Sequence, residues 1–403
     1  MVDDGSGRGE IRPASTAPRL TFDDLLGPET VEAFVRERLD REPFHVSRAD
    51  ANFFASLFSL GEIEAYLARA RPAFSKVFAI DSRREINSLE FSDALGVVDP
   101  TRLFQLYDRG CTIVLREIDG HFPALDALCR SAERRLQAPF FANVYYAPPG
   151  GQSFPVHYDA PDVYALQVEG TKTWRLYEPG YEKPLADQHC YGQMPEQTLL
   201  REVRLEPGDV LYVPRGFPHL VTADEGPSLH ISLSAFPPTW AGVLTAAVSE
   251  LARRDATFRT ALPPGWFAPG EDLEKGFAAL VRRFADKAAL RPALAGVARG
   301  LVASRRAWVP DPIARPRQAA GLSLGSELAA NCEALVLLER DGDTVRLTGL
   351  GKELLFAAEA LDDLAFALEA TRFRIGDTPG ALEAEGKLDL FQTLLLNGFV
   401  SAV

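Results

Sequence analysis

Residues 140–236 contain a dense series of short β-strand patterns, which constrains the fold more than any other feature of this chain. The patterns are rich in β-branched and aromatic residues and are separated by Gly, Pro, Asp and Glu. Up to seven strands in under a hundred residues predict a double-stranded β-helix of the jelly-roll or cupin kind. The predicted strands are Phe141–Tyr146, Ser153–Tyr158, Val163–Val168, Thr173–Tyr177, Leu199–Leu205, Val210–Val213 and Leu229–Leu233.

Two turns support this assignment. Glu169-Gly170-Thr171 can close a hairpin between two predicted strands. Pro207-Gly208 suits the centre of a type II turn, in which the second central residue needs a positive φ.

The chain on either side of this series is predicted to be helical or mixed. Leu20–Leu67 has a helical pattern with Thr21 as a capping residue, and Pro123–Leu136 has amphipathic helical spacing. Residues 239–305 are rich in Ala and Leu and are also helix-like, although Pro263-Pro264-Gly265 interrupts them. We therefore expect helices to flank the β-rich unit on both sides.

The last part of the chain has the pattern of a small helix–hairpin–helix unit after a Pro-rich linker at Pro310–Pro316. Asp341-Gly342 is a hairpin signal between Ala334–Arg340 and Asp343–Leu347. Residues 321–403 hold 14 acidic and 6 basic side chains, so this winged-helix-like unit is not expected to bind duplex DNA. Its predicted helices are Lys352–Ala370 and Leu388–Asn397.

Bulk composition excludes several classes of protein. No uninterrupted apolar run approaches the length of a membrane span. Residues 1–19 hold Gly, Pro and acidic side chains without an apolar stretch, which predicts a disordered leader rather than a signal peptide. The four cysteines lack zinc-site or disulfide spacing, which favours a reducing cytoplasm.

The formal net charge is −13, which favours attraction to basic partners and disfavours non-specific binding to nucleic acid. Residues 241–320 differ from the rest because they hold 13 basic and 7 acidic side chains. A solvated helix face is the simpler explanation of this basic segment. Contact with RNA or with another subunit is the alternative.

Two histidines and one aspartate in the β-rich unit have the composition of a metal centre. His157 and Asp159 are two residues apart, and His219 follows about sixty residues later. In an extended segment, residues i and i+2 point the same way, so one short stretch can supply two ligands. Two imidazoles and one carboxylate form the facial triad that binds non-haem Fe(II) and leaves positions open for co-substrate and oxygen. His-x-Asp with a distant His also occurs by chance, but all three residues fall at predicted strand ends.

Lys172 begins the strand that returns beside the His157 segment. Its ammonium can pair with the distal carboxylate of 2-oxoglutarate while a metal binds the oxoacid end. A surface lysine beside a hairpin is the simpler explanation of an isolated Lys, and the nearby triad reverses that preference.

Two strands present polar residues on one face. Asn143 and Tyr145 share a face of one strand, and His230, Ser232 and Ser234 share a face of another. A polar face of a half-buried strand normally meets solvent, but in a small barrel it can enclose a ligand. The sequence alone leaves both interpretations open.

Six motifs of the β-rich unit are informative in combination: Ala142-Asn143-Val144-Tyr145, Pro148-Pro149-Gly150, Pro155-Val156-His157-Tyr158-Asp159, Leu166-Gln167-Val168-Glu169-Gly170, Trp174-Arg175-Leu176-Tyr177 and the segment from Pro207 to Gly216. Together they strongly resemble the JmjC-type ribosomal oxygenases of the cupin superfamily. Glu42-Pro43-Phe44-His45-Val46 also looks like the N-terminal entry of that family. The helical middle and the acidic C-terminal unit match the family's dimerisation helices and winged-helix domain more loosely.

This resemblance implies hydroxylation that depends on Fe(II) and uses 2-oxoglutarate and O2 as co-substrates. It implies a His or Arg side chain of a ribosomal protein as the substrate and a homodimer. The residues that match the family's positions are His157, Asp159 and His219 as catalytic metal ligands, Lys172, Asn143 and Tyr145 for the co-substrate, and His230 and Ser232 near the substrate.

We therefore predict an α+β protein built on a double-stranded β-helix (a cupin/JmjC jelly roll) with flanking helices. The predicted divisions are a disordered leader at 1–19, a JmjC/cupin catalytic domain with N-terminal helices at 20–238, a helical dimerisation region at 239–309 and a winged-helix-like domain at 310–403. Three alternatives stay open: the same chemistry on a natural-product peptide or another protein, a non-catalytic metal-binding cupin, and a metal-dependent isomerase.

Overall fold

The computed structural model describes residues 20–188, 194, 197–305, 311–331 and 334–403. The predicted leader at 1–19, His189, Cys190 and Cys332 lie outside the described residues. Across the described ranges, no helix combines the length and apolar character needed to cross a membrane.

Two antiparallel sheets form the β-rich unit. The larger sheet has seven strands in the order β1-β8-β5-β10-β4-β3-β2, and the smaller has three in the order β7-β6-β9. This topology confirms the predicted cupin-type double-stranded β-helix. The ten strands are β1 (Phe44–Val46), β2 (Val77–Ile80), β3 (Thr112–Leu115), β4 (Phe140–Ala147), β5 (Asp162–Glu169), β6 (Lys172–Tyr177), β7 (Leu199–Leu205), β8 (Val210–Val213), β9 (His219–Ala223) and β10 (Ser228–Ala235).

Six of the seven predicted strands are present, and the exception is informative. Ser153–Tyr158 is not a strand, although an isolated bridge within this stretch pairs His157 with His219. Pro155 lacks the N–H that a continuous ladder needs. The sequence places His219 at a strand end, but the strand His219–Ala223 is not among the seven predicted, because Pro218 precedes it and its polar residues obscure the pattern.

Five helices flank the sheets: α1 (Phe22–Leu25), α2 (Val31–Glu37), α3 (Leu60–Ala70), α4 (Pro100–Asp108) and α5 (Pro123–Leu136). The predicted bounds of α5 and the cap at Thr21 are confirmed, the latter as a capping box with Asp24. A mainly helical segment from Leu20 to Leu67 is wrong, because β1 lies within it and pairs with β8.

The two faces of the larger sheet pack into two different hydrophobic cores. On β5, Tyr164 and Leu166 pack with the helices, whereas Val163 and Ala165 pack against the smaller sheet. Trp174 and Leu176 of β6 complete this second core. The alternation of side chains along each strand produces both cores. The space between the two sheets is therefore lined by the strand faces that point away from the helices. These include the polar faces of β4 and β10.

Two glycines meet the geometric demands that the turns predict. Gly170 has φ +64°, and a Cβ there would lie 2.0 Å from the carbonyl oxygen of Pro227. Gly208 has φ +96°, and its Cβ would lie 2.2 Å from the carbonyl oxygen of Asp50. A side chain at either position would therefore combine backbone strain with a collision.

Three further helices follow the β-rich unit: α6 (Trp240–Arg254), α7 (Glu271–Lys287) and α8 (Leu290–Ser304). The predicted break at Pro263-Pro264-Gly265 lies between α6 and α7. Large apolar side chains on α6 remain exposed within this single chain, including Trp240, Leu244 and Val248.

The C-terminal unit contains α9 (Arg315–Ala320), α10 (Leu361–Glu369) and α11 (Ala384–Asn397), with β11 (Glu327–Ala330), β12 (Val336–Asp341), β13 (Thr344–Gly349), β14 (Lys352–Ala357), β15 (Phe373–Arg374) and β16 (Val400–Ala402). The predicted hairpin is confirmed as β12 and β13. A helix from Lys352 is wrong, because Lys352–Ala357 instead forms a third strand beside β13. Pairing with that hairpin overrides the helical preference of its Lys, Glu and Leu residues.

Candidate metal centre and adjoining cleft

His157, Asp159 and His219 lie together between the two sheets. One ligand atom from each residue lies within 4.8 Å of the others, and both histidines are buried. The isolated bridge between His157 and His219 brings their backbones side by side, with two hydrogen bonds of 2.7 and 3.2 Å. The three side chains thus have the ligand types and proximity of a metal site.

Backbone contacts orient both imidazoles. Nδ1 of His157 donates to the carbonyl oxygen of Pro155 at 2.9 Å, and Nδ1 of His219 donates to that of Phe217 at 3.0 Å. A hydrogen bond at Nδ1 fixes the tautomer and leaves Nε2 with its lone pair. Nε2 of His219 lies 3.7 Å from Oδ2 of Asp159, so the unprotonated nitrogen faces the carboxylate.

The environment keeps His219 neutral. Burial, with a contribution from neighbouring His157, lowers the pKa of His219 from 6.5 to about 4. Metal binding requires a deprotonated imidazole nitrogen, and a neutral ring at physiological pH meets that requirement. The donor set, the tautomers and the charge state therefore fit a divalent transition metal.

Lys172 lies in the same pocket and is almost completely buried. Its side chain is 2% exposed, and burial lowers the pKa of its ammonium from 10.5 to about 7. Among the described residues it has no ion pair with a carboxylate, and its Nζ donates to Nδ1 of His230 at 2.8 Å. A buried ammonium with a neutral partner is costly unless an anionic ligand compensates it.

The polar faces of β4 and β10 meet in this pocket. The two strands pair with His230 opposite Tyr145 and Ser232 opposite Asn143. The rings of Tyr145 and His230 stack at 4.7 Å with planes 8° apart, and Nζ of Lys172 lies 6.0 Å from the Tyr145 centroid. Of the two interpretations that the sequence left open, the structure therefore favours a face that lines a cavity.

A cleft of about 490 Å³ adjoins the metal centre and shares Tyr145, Phe154, Asp159 and Ser232 with it. This volume is within the range of ligand-binding pockets. Apolar side chains form most of its walls, with polar groups on one side. The other lining residues are Phe78, Ile80, Val114, Arg116, Glu117, Phe141, Asn143, Ala160, Pro161, Ala186, Ser234 and Phe236.

The polar side of the cleft is an ordered hydrogen-bond chain. Asn143 Oδ1 accepts the backbone N–H of Glu117 at 3.0 Å, and its Nδ2 donates to Ser234 Oγ at 3.1 Å. The Glu117 carboxylate lies 2.6 Å from Nζ of Lys76. Because Ser234 accepts from Asn143, its hydroxyl hydrogen can be donated into the cleft.

The structure brings seven of the eight predicted site residues into one pocket around the metal centre. The exception is Asn143, which lines the adjoining cleft rather than the pocket that holds Lys172, whereas Ser232 lines both. His230, which the resemblance places near the substrate, lies against Lys172.

Other lining residues were not found from the sequence. Trp174 shares the face of Lys172 on β6, and the spacing of two could have indicated it. Arg116 and Glu117 lie in the loop after β3, where no periodic pattern indicates which way a side chain points.

A family model described as "JmjC domain" matches residues 121–243. Human ribosomal oxygenase 1 is 31% identical over 257 residues, which is 61% of this chain and 40% of that protein. The protein named bifunctional lysine-specific demethylase and histidyl-hydroxylase NO66 from Culex quinquefasciatus is 29% identical over 255 residues, which is 61% of this chain and 39% of that protein. The chain thus spans about two fifths of the length of these relatives.

Nearly the whole chain shares its fold with solved structures, one of which comes from Escherichia coli. Escherichia coli YcfD, described as a ribosomal oxygenase in complex with cobalt and 2-oxoglutarate, superposes with a TM-score of 0.56 and 16% identity. The match covers 92% of this chain and 97% of that one.

Proposed function

Because this chain carries a JmjC domain and is related to ribosomal oxygenases, we propose that it is an Fe(II)- and 2-oxoglutarate-dependent oxygenase that hydroxylates a histidine of a ribosomal protein. One observation carries the proposal. A buried lysine without a carboxylate partner among the described residues shares a pocket with two histidines and one aspartate. This pairing of an ammonium with a three-ligand cluster suits an oxoacid that also has a distal carboxylate.

His157, Asp159 and His219 would bind the iron. When bound, the metal would supply binding positions for the oxoacid and for O2 and would activate O2, which is the oxidant for the insertion of oxygen into a C–H bond. The protein would hold the three ligands on one side of the metal. Hydrogen bonds to the carbonyl oxygens of Pro155 and Phe217 fix the two imidazoles.

Lys172 would bind the distal carboxylate of 2-oxoglutarate. Nδ1 of His230 accepts one of its three ammonium hydrogens, and this contact holds the side chain in place. The remaining donors can serve a carboxylate, whose charge offsets the burial of the ammonium. Tyr145 and Trp174 provide the walls around this position and limit the access of water.

The adjoining cleft favours a neutral, hydrogen-bonding side chain as the substrate. A guanidinium would require a carboxylate to compensate its charge. The two carboxylates that line the cleft are already engaged, because Glu117 pairs with Lys76 and Asp159 belongs to the ligand cluster. Ser234 offers a hydroxyl donor, which a neutral imidazole nitrogen can accept. We therefore favour histidine over arginine as the hydroxylated residue.

Charge and relatives support a ribosomal protein as the partner. The net charge of −13 suits a basic protein segment, and the relatives include a ribosomal oxygenase and a protein named as a histidyl-hydroxylase. A cytoplasmic location belongs to the same proposal. The winged-helix-like character of residues 310–403 and the domain divisions likewise remain proposals.

The proposal is tested by succinate formation with purified ribosomal proteins as the substrate. We expect succinate production to depend on Fe(II) and 2-oxoglutarate and to rise when ribosomal proteins are added. A protein that binds iron but forms no succinate would be a non-catalytic cupin, and the proposal would be wrong.

The affinity for 2-oxoglutarate should weaken as pH rises above about 7. Burial lowers the pKa of Lys172 to about 7, so the unbound pocket loses its positive charge above that pH. We expect the KM for 2-oxoglutarate to rise by up to about tenfold per pH unit, measured by succinate formation. The Lys172→Met variant should lack this dependence, and an equal dependence in that variant would assign it to another group.

The lowered pKa of Lys172 also affects stability: as pH rises above 7, the free energy of unfolding should increase while the affinity for 2-oxoglutarate decreases. An unfolded lysine keeps its proton up to about pH 10.5, whereas the folded one releases it near 7. The cost of the buried charge is therefore fully present below pH 7 and is relieved as pH rises from 7 towards 10.5.

A homodimer through residues 239–309 is a further part of the proposal. Trp240, Leu244 and Val248 are 73%, 53% and 44% exposed and lie four residues apart, so they form one apolar stripe on α6. A stripe of this kind on a folded chain is typical of a protein interface. We expect Leu244→Glu to convert a dimer into a monomer in size-exclusion chromatography with light scattering. Ser249→Glu is the control on the same helix, and an unchanged mass for Leu244→Glu would contradict this interface.

A further inference from the structure

A buried charged cluster joins the end of α8 to the first residue of β4. Arg305 follows α8 directly and is 7% exposed. Its Nη2 donates to the carbonyl oxygen of Phe140 at 3.0 Å, and its Nε lies 2.8 Å from Oε1 of Glu133. The same Glu133 oxygen accepts the backbone N–H of Phe140 at 3.0 Å. Two side chains from different helical segments therefore bind the two backbone polar groups of one residue.

Glu133 itself is held firmly. It is fully buried on α5, and its second oxygen lies 2.5 Å from Nη1 of Arg130. The carboxylate is thus flanked by two guanidinium groups. Such a cluster holds its members in one arrangement, because loss of one member upsets the balance of buried charge among the others.

Arg305 also touches the wall of the cleft. Its guanidinium carbon lies 4.7 Å from the ring centroid of Phe141, which is the next residue of β4. Phe141 lines the cleft and contacts Phe236 edge to face at 6.4 Å. Asn143, two residues along the same strand, begins the polar side of the cleft. The cleft wall is therefore fixed by a residue from the helical region, outside the β-rich unit.

The pocket around the metal centre does not depend on this contact. Neither Phe140 nor Phe141 lines the pocket that contains Lys172 and the three proposed metal ligands. A change at Arg305 should therefore affect the substrate cleft and leave the co-substrate pocket intact.

We propose that Arg305 is a positioning residue for the protein substrate, which orients Phe141 and thereby sets the affinity of the cleft for the substrate side chain. The inference rests on the proposed function, because it takes the cleft as the substrate site. Arginine is specifically suited to this task, since its planar group can bond a carboxylate and a carbonyl while it stacks on an aromatic ring. Lysine can retain the charge but cannot make all three contacts.

The test compares Arg305→Met and Arg305→Lys with wild type, using a synthetic peptide around the residue that mass spectrometry finds hydroxylated. We expect KM for the peptide to rise roughly threefold to thirtyfold in Arg305→Met, as expected for loss of one cation–π contact. Arg305→Lys should fall between Arg305→Met and wild type. kcat and peptide-independent succinate formation should stay within about twofold. Arg291→Met, an exposed arginine of α8, is the control and should match wild type.

A second variant protects the test against simple unfolding. Glu133→Gln/Arg305→Met removes the charges of Glu133 and Arg305 together, while Arg130 keeps its ion pairs with Asp119 and Asp126. This double variant should show the same rise in peptide KM. Binding of the peptide to iron-free protein gives a readout that does not require turnover, and it should weaken in parallel.

Three outcomes would overturn the proposal. An unchanged peptide KM in Arg305→Met would show that Phe141 needs no support from Arg305. Loss of peptide-independent succinate formation and of folding in both variants would make the cluster purely structural. A wild-type protein that hydroxylates no peptide or ribosomal protein would refute the proposed function and this inference with it. Failure of the inference alone would appear only in the variants, with wild type active.

Discussion

Replacing His219 by Ala is expected to abolish metal binding and, with it, hydroxylation. His219 supplies one of three proposed ligands, and no other described His, Asp, Glu or Cys side chain belongs to this cluster to replace it. Loss of a partner outside the ligand shell already costs about 10–100-fold in affinity or activity, so loss of a ligand should cost more than about a hundredfold. Titration with Co(II) in a calorimeter and succinate formation measure the two effects.

The matched control is His121→Ala, which removes a histidine that is remote from the cluster and packs against Tyr66. It should bind metal and form succinate as wild type does. Circular dichroism should show that His219→Ala keeps its fold. If His219→Ala retained full activity, the assignment of all three ligands would be refuted.

The second large effect is expected from Lys172→Met, in which function and stability should move in opposite directions. Removing one partner of a buried charge pair costs about 2–5 kcal/mol of binding, so KM for 2-oxoglutarate should rise roughly thirtyfold or more. At the same time the variant removes a buried ammonium that has no carboxylate partner among the described residues. An apolar side chain of similar length avoids the cost of that burial.

We therefore expect the free energy of unfolding of Lys172→Met at pH 7 to be equal to or higher than that of wild type, as measured by urea denaturation. Lys275→Met on the exposed surface of α7 is the control and should change neither quantity. A loss of stability in Lys172→Met with unchanged KM for 2-oxoglutarate would show that Lys172 is a structural residue.

The sequence was sufficient to predict those parts of the site that short-range geometry determines. The spacing of His157 and Asp159 in an extended segment, and the alternation on β4 and β10, predicted side chains that lie together in the structure. These predictions follow from the period of two along extended backbone, which does not depend on the rest of the fold.

The depth of each side chain in the cavity depends on register and could not be predicted in this way. His230 lies opposite Tyr145 and therefore meets Lys172, whereas Asn143 lies two pairs further along and lines the cleft. Arg305 is separated from Phe141 by more than 160 residues, and no local pattern connects them. Contacts that join distant segments become visible only when the fold is known.

The central claim is that this protein adds oxygen to a histidine of a ribosomal protein, and intact-protein mass spectrometry tests it most directly. Ribosomal proteins from a strain that lacks this gene would be incubated with enzyme, Fe(II), ascorbate and 2-oxoglutarate, with His219→Ala in parallel. We predict that one ribosomal protein gains the mass of a single oxygen atom with wild type alone, and that fragmentation places it on a histidine. If iron is bound and succinate forms but no ribosomal protein changes in mass, the ribosomal assignment is contradicted. An oxygen on arginine would contradict the substrate residue that the cleft favours.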